Sequence, residues 1–199
     1  MAAYVTNLPL NNTFNVTATF GQTGSLWKNG HKGIDLTGDK KIYSVCDGEV
    51  TFEGFDDGGW GRYVSIMPSG QSRVRFIFCH LEKNSIKVKK GDKVTRLSHI
   101  GTMGSTGNST GVHLHIEMRI DNTPCDVSPY LLIPNAKASG LKATDYKFDS
   151  KNQTALIESI IKNFDKADNQ AELQSKIKEL EEKLKLAEQK IANAKVALN

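Results

Sequence analysis

Residues 112–118 read VHLHIEM, a strict alternation that places Val112, Leu114, Ile116 and Met118 on one side of an extended chain and His113, His115 and Glu117 on the other. The apolar side can be buried while the polar side brings two imidazoles and a carboxylate to one place. Working outward, YVSI from Tyr63 and RVRFIFCHL from Arg73 are further short runs rich in β-formers. Before and between these runs lie the turn clusters FDDGGWG, MPSGQ, KKGD and GSTGNSTG. Many short strands separated by glycine-rich turns predict an all-β sheet, sandwich or barrel.

This pattern does not continue to the end of the chain. All 17 glycines and all five prolines lie at or before Gly140, and beyond it the aromatics are Tyr146, Phe148 and Phe164. The shift predicts a β domain over 1–140, a linker and helix over 141–169, and a coiled-coil helix over 170–199. In the last segment Leu173, Ile177, Leu180, Leu184, Ala187, Ile191, Ala194 and Leu198 recur at alternating steps of four and three, the a/d pattern of a heptad repeat. Leu156, Ile157, Ile160, Ile161 and Phe164 are also helical in period. The polar run DKADNQ that follows them predicts a break or stutter. The seam predicts a weak parallel homodimer, or docking of the helix on a missing module or on its own preceding helix, against a solvated single helix. A chain that stops inside a helix also raises the expectation of a further wall-binding module.

The 199 residues carry a net charge of +4, too small and too dispersed to indicate nucleic acid. Six Lys and Arg between Lys83 and Arg96 read as a solvated hairpin that also favours an anionic surface. No run reaches the ~18 to 20 apolar residues of a membrane span, and MAAYVTNLPLNN shows no signal-peptide pattern. Cys46, Cys79 and Cys125 form no C-x-x-C pair, so they read as reduced thiols in apolar positions.

Four of the five histidines fall in three short motifs: His31 with Asp35 in HKGID, His80 in FCHL, and His113 with His115 in HLHIE. If HKGID is extended, His31, Gly33 and Asp35 share a side, and Gly33 leaves room between the two polar groups. Two imidazoles and a carboxylate with an open fourth position are a usual ligand set for catalytic zinc. His31, Asp35 and one of His113 and His115 would supply it. The remaining histidines would then act as general base and as stabiliser or acid. Glu117 reads equally as a group that orients a ligand and as a solvated strand-end carboxylate. His99 reads as exposed or locally bonded, and Trp27 and Trp60 as groove or loop aromatics. Cys79 and His80 are adjacent, so in a strand they face opposite ways and make a poor catalytic dyad.

Between Phe20 and Leu132 these motifs resemble the lysostaphin-like, or LytM, family of zinc metallopeptidases, which cut peptide bonds of bacterial peptidoglycan. The likeness rests on HKGIDL, the DGEV from Asp47, the GGWGRYVSI from Gly58 and the CHL from Cys79. It continues through VKKGDKV from Val88, IGTMGSTGNSTG from Ile100, the HLHIE from His113 and PCDVSPYL from Pro124. The resemblance implies a compact, mainly antiparallel β-sheet peptidase domain with a metal in a groove on the sheet. It implies zinc on His31, Asp35 and His115, and catalysis by His80 and His113. Relatives usually carry an Ala-Pro-x-Gly-Thr-Pro-Val turn after the aspartate, where this chain has LTGDKKIYSV. The run TGSLWKNG also lacks a tyrosine that some relatives place before the first histidine, leaving oxyanion stabilisation to zinc and His80. A wall-cutting enzyme without a visible signal peptide implies a bacteriophage or prophage endolysin or a tail-associated lysin, made in the cytoplasm or carried by a virion and acting on the cell wall. The alternatives are a catalytically inactive family member that binds or activates another cell-wall hydrolase, and a protein whose main function is the coiled coil.

Overall fold

The computed structural model describes residues 8–146 and 153–197. The chain divides into two compact units, 1–158 and 159–199. In the first, eleven strands alternate with tight turns: β1 (Thr13–Ala18), β2 (Ile34–Gly38), β3 (Lys41–Tyr43), β4 (Gly48–Asp56), β5 (Gly61–Pro68), β6 (Val74–Cys79), β7 (Lys93–Val94), β8 (His99–Thr102), β9 (Leu114–Ile120), β10 (Thr123–Cys125) and β11 (Ala138–Lys142). A one-turn helix α1 (Ser128–Leu131) precedes β11, and a long helix α2 (Gln153–Ala197) ends the described chain.

The principal sheet runs β11-β1-β2-β9-β6-β5-β4-β7, with β10 also on β9, and β3 pairs with β8 in a small second sheet. Every described pairing is antiparallel. The alternation read from residues 112–118 decides which face is buried. Leu114, Ile116, Met118 and Ile120 of β9 are fully buried, as are Ile34 and Leu36 of β2, Val74, Phe76 and Phe78 of β6, and Val64 and Ile66 of β5. Tyr130 of α1 covers this face: its ring lies 4.5 Å from that of Phe76, and its hydroxyl donates to the Val45 carbonyl at 3.0 Å. Each large side chain so buried contributes about 1.5 to 3 kcal/mol. Residues at odd positions of β9 and β2 therefore point to the opposite face, where the polar groups collect.

Register fixes which of them meet. Asp35 pairs with His115 across β2 and β9, and Cys79 pairs with His115 across β6 and β9. β2 approaches β9 this closely because residue 33 is glycine. A Cβ there would lie 2.3 Å from the Ile116 carbonyl oxygen and 2.9 Å from the His115 ring.

In the second unit α2 runs unbroken through residues 165–170, so the break expected there is absent, whereas a stutter of the heptad seam needs no interruption of the helix. Asp165, Lys166, Ala167, Asp168, Asn169 and Gln170 include neither glycine nor proline, and polar side chains on a solvated helix do not break the backbone ladder. Leu173, Ile177, Leu180 and Leu184 are exposed along α2. The remaining seam positions Ala187, Ile191, Ala194 and Leu198 lie outside the residues whose side chains are described. Among the described residues no helix is long and apolar enough to cross a membrane.

Candidate active site

His31 lies before β2 and is not in a strand, as the extended reading of HKGID had it. Its segment is nevertheless tied down, because Gly21 N–H donates to the His31 carbonyl and His31 N–H to that of Gln22, each at 2.9 Å. The His31 ring is thereby brought over Asp35 and His115. His31 Nε2 lies 3.2 Å from Asp35 Oδ1 and 2.9 Å from His115 Nδ1, and His115 Nδ1 lies 2.9 Å from Asp35 Oδ1. All three residues are buried. Four-coordinate zinc with ligands at ~2.0 to 2.1 Å holds its donor atoms roughly 3.3 Å apart. The triangle of two imidazole nitrogens and one carboxylate oxygen thus fits a zinc ion with slight expansion.

His80 and His113 stand beside this triangle, their ring centroids 4.7 Å apart. His113 sits one residue before β9, bridged to Gly104, and its Nε2 lies 3.7 Å from Asp35 Oδ1. His80 follows β6 in a left-handed conformation with φ of 61°. That turn keeps its ring at the site while the chain departs, its N–H donating to the Trp60 carbonyl at 2.8 Å.

The four imidazoles share one arrangement. In each, one ring nitrogen is anchored on an oxygen: His31 Nδ1 on the Thr19 carbonyl at 2.9 Å, His80 Nδ1 on the Thr106 carbonyl at 2.8 Å, His113 Nδ1 on the Gly111 carbonyl at 2.8 Å, and His115 Nε2 on Glu117 Oε1 at 3.0 Å. These oxygens only accept, so each anchored nitrogen is a donor and the other ring nitrogen faces the site. The site is therefore a set of four inward-facing ring nitrogens.

Burial acts against the charge of Asp35, but hydrogen bonds from His115 and His31 outweigh it and hold the carboxyl well below the usual range. Burial likewise opposes a charge on His115, yet Asp35 and Glu117 on its two sides raise it to about 9 in the metal-free protein. A cation would displace that proton. For His80, burial dominates and lowers the imidazole to about 4, partly offset by its bond to the Thr106 carbonyl. His80 is neutral at physiological pH, with Nε2 available as an acceptor.

The site opens into a groove of about 580 Å³. Trp27 and Trp60 line it, together with Leu26, Lys32, Asn108 and Val112. The Trp27 ring lies 4.5 Å from that of His31, so the run TGSLWKNG contributes a wall although it supplies no tyrosine. Cys79 is fully buried, and burial pushes its thiol well above its ordinary range, which leaves no nucleophile there. His99 is half-buried, bonded through Nε2 to the Gly101 carbonyl at 2.9 Å. Glu117, left open by the sequence, is buried beneath His115.

Residues 29–127 match the family described as Peptidase family M23. The peptidoglycan DD-endopeptidase ShyB of Vibrio cholerae is 36% identical over 98 residues, 48% of this chain and 22% of that protein. The glycyl-glycine endopeptidase ALE-1 of Staphylococcus capitis is 30% identical over 107 residues, 51% of this chain and 29% of that protein. Among solved structures, a zinc-containing peptidase from Vibrio cholerae superimposes with a TM-score of 0.52 at 26% identity, covering 73% of this chain and 40% of that one. The chain thus spans less than a third of the length of these two curated relatives.

Proposed function

Residues 29–127 form a peptidase family M23 domain, and from that premise we propose that the protein is a zinc-dependent endopeptidase that hydrolyses stem or cross-bridge peptides of bacterial peptidoglycan. One observation carries the reading: His31 Nε2, Asp35 Oδ1 and His115 Nδ1 converge as a buried donor triangle at the floor of an open groove. These three residues would hold the metal. Bound there, zinc would lower the pKa of a water to near neutrality and would polarise the scissile carbonyl.

The chain's own residues do the rest. His80, kept neutral by burial, takes a proton at Nε2 from the attacking water; its anchored Nδ1 favours this acceptor role over the oxyanion role drawn from the sequence. His113, whose ring adjoins that of His80, would take up a proton at its site-facing Nε2 and deliver it to the departing amine. Trp27 and Trp60 position an extended peptide along the groove. The relatives are named for cutting different bonds, and both bond classes are candidates here. The exposed Leu173, Ile177, Leu180 and Leu184 support a second element of the proposal, a weak parallel dimer through α2.

The test is metal analysis of the purified protein together with digestion of peptidoglycans that differ in bridge chemistry, with mass analysis of the released ends. One zinc per chain and new amino termini at a single bond type are expected. Stoichiometric zinc with no released ends from any wall would point instead to a non-catalytic binder or activator.

A further inference from the structure

Glu117 lies two residues after His115 on the same face of β9 and is 2% exposed. An ionised carboxylate this deep must be fully bonded. Three donors reach it: His115 Nε2 at 3.0 Å and Trp60 Nε1 at 2.9 Å to Oε1, and Arg119 Nε at 2.6 Å to Oε2. Arg119 also lies over the Trp60 ring, 5.0 Å from its centroid, so the carboxylate has little freedom to turn.

The consequence falls on His115. A neutral imidazole has two tautomers, and only the one with its proton on Nε2 leaves Nδ1 bare toward His31 and Asp35. Asp35 by itself favours the wrong one, because its Oδ1 accepts a proton from His115 Nδ1 at 2.9 Å and would cover the ligating atom. Glu117 opposes this from the far side of the ring. As an acceptor at 3.0 Å it requires a proton on Nε2, and it cannot donate to a bare Nε2.

We propose that Glu117 is a positioning residue that commits His115 to ligate the metal through Nδ1, held in place by Trp60 and Arg119. The inference rests on the zinc reading above. Trp60 also lines the groove, so a groove residue and the ligand His115 donate to the same Glu117 oxygen.

Two substitutions separate hydrogen-bond acceptance from charge. Glu117→Gln keeps an acceptor for His115 and loses the charge. Glu117→Asp keeps the charge and withdraws the acceptor by one carbon. Zinc affinity is measured by chelator competition, and ligation by the ¹⁵N signals of His115 in the zinc-loaded protein, after melting of the zinc-free variants confirms that they fold. Glu117→Gln should bind zinc within a few-fold of the parent with Nδ1 ligation intact. Glu117→Asp should bind ~10- to 100-fold more weakly, the usual effect of losing a ligand's supporting bond, with its Nε2–H signal lost. The reverse ranking, or both variants within two-fold of the parent, overturns the proposal. A parent protein that binds no zinc would instead defeat the zinc reading itself.

Discussion

Gly61 and Gly107 stand backbone against backbone: a Cβ on Gly107 would lie 2.3 Å from the Gly61 nitrogen, and one on Gly61 would lie 2.4 Å from the Thr106 carbonyl oxygen. Both have positive φ, 64° and 72°, which glycine alone adopts freely. This contact presses the loop of residues 104–111 onto the start of β5. It thereby places the Thr106 carbonyl against His80 Nδ1. Gly107→Ala should displace that carbonyl and lower kcat by about 10²-fold, the scale of a misplacement near 1 Å, while zinc content stays at one per chain. Gly24→Ala, where nothing lies within 4 Å, is the control. Steady-state turnover beside metal analysis reads the outcome, and unchanged turnover in Gly107→Ala would show that the loop does not position His80.

Ligands and catalysts should separate cleanly. His31→Ala, Asp35→Ala and His115→Ala each remove one corner of the donor triangle and should lose zinc and wall lysis together. His80→Ala and His113→Ala leave the triangle intact and should retain zinc while losing ~10² or more in rate. Full zinc occupancy in Asp35→Ala or His115→Ala would falsify the ligand set. If His113→Ala loses zinc while His115→Ala keeps it, the two members of the pair have exchanged roles.

The alternation of residues 112–118 was enough to place His115 and Glu117 on one face and the β9 core on the other, because side-chain parity is local. Register is not local. Nothing in HKGID or HLHIE by itself states that Asp35 pairs with His115, a contact between strands 80 residues apart in the chain. Glu117 stayed undecided for the same reason, since beside its strand neighbour Arg119 its burial depends on Trp60, 57 residues away in the chain. Trp27 reaches the groove through a loop whose path no periodicity records. The break, one of the two outcomes expected at DKADNQ, is absent because polarity alone does not interrupt a helix, whereas backbone propensity does.

Acid should destabilise the domain through His80. Burial leaves its imidazole at about 4 in the folded chain against 6.5 when free. Between those values the unfolded state binds more protons, so stability is complete above about pH 6.5 and declines as pH falls toward 4, with no further loss from this group below that. The full effect is at most about 3 kcal/mol. His80→Asn, a residue that tolerates the left-handed backbone, should flatten the decline. Denaturant midpoints of the two metal-free proteins from pH 7 to pH 4 check it. Parallel curves would mean that folding does not shift the His80 imidazole.

The face of α2 gives the last prediction. Leu173, Ile177, Leu180 and Leu184 are 60%, 47%, 58% and 61% exposed, at the steps of four and three that a second helix covers with a knobs-into-holes seam. In a parallel pair Lys176 faces Glu181 and Lys183 faces Glu188 of the other copy, against one repulsive Lys190 to Lys195 contact. Each such exposed pair is worth only ~0.2 to 1 kcal/mol. Lys183 is also bonded to Glu179 within its own helix, which dilutes one of the two favourable contacts. The alanines expected at two d positions thin the seam further, so association should be weak and should rise with concentration. Sedimentation of the whole chain beside a fragment of residues 1–158, which retains the buried Ile157, separates the outcomes. The fragment should stay monomeric and keep its zinc. Leu180→Glu in the whole chain should also abolish association, because it places a charge in the seam. A whole chain that remains monomeric at the highest attainable concentration would leave α2 as a solvated single helix.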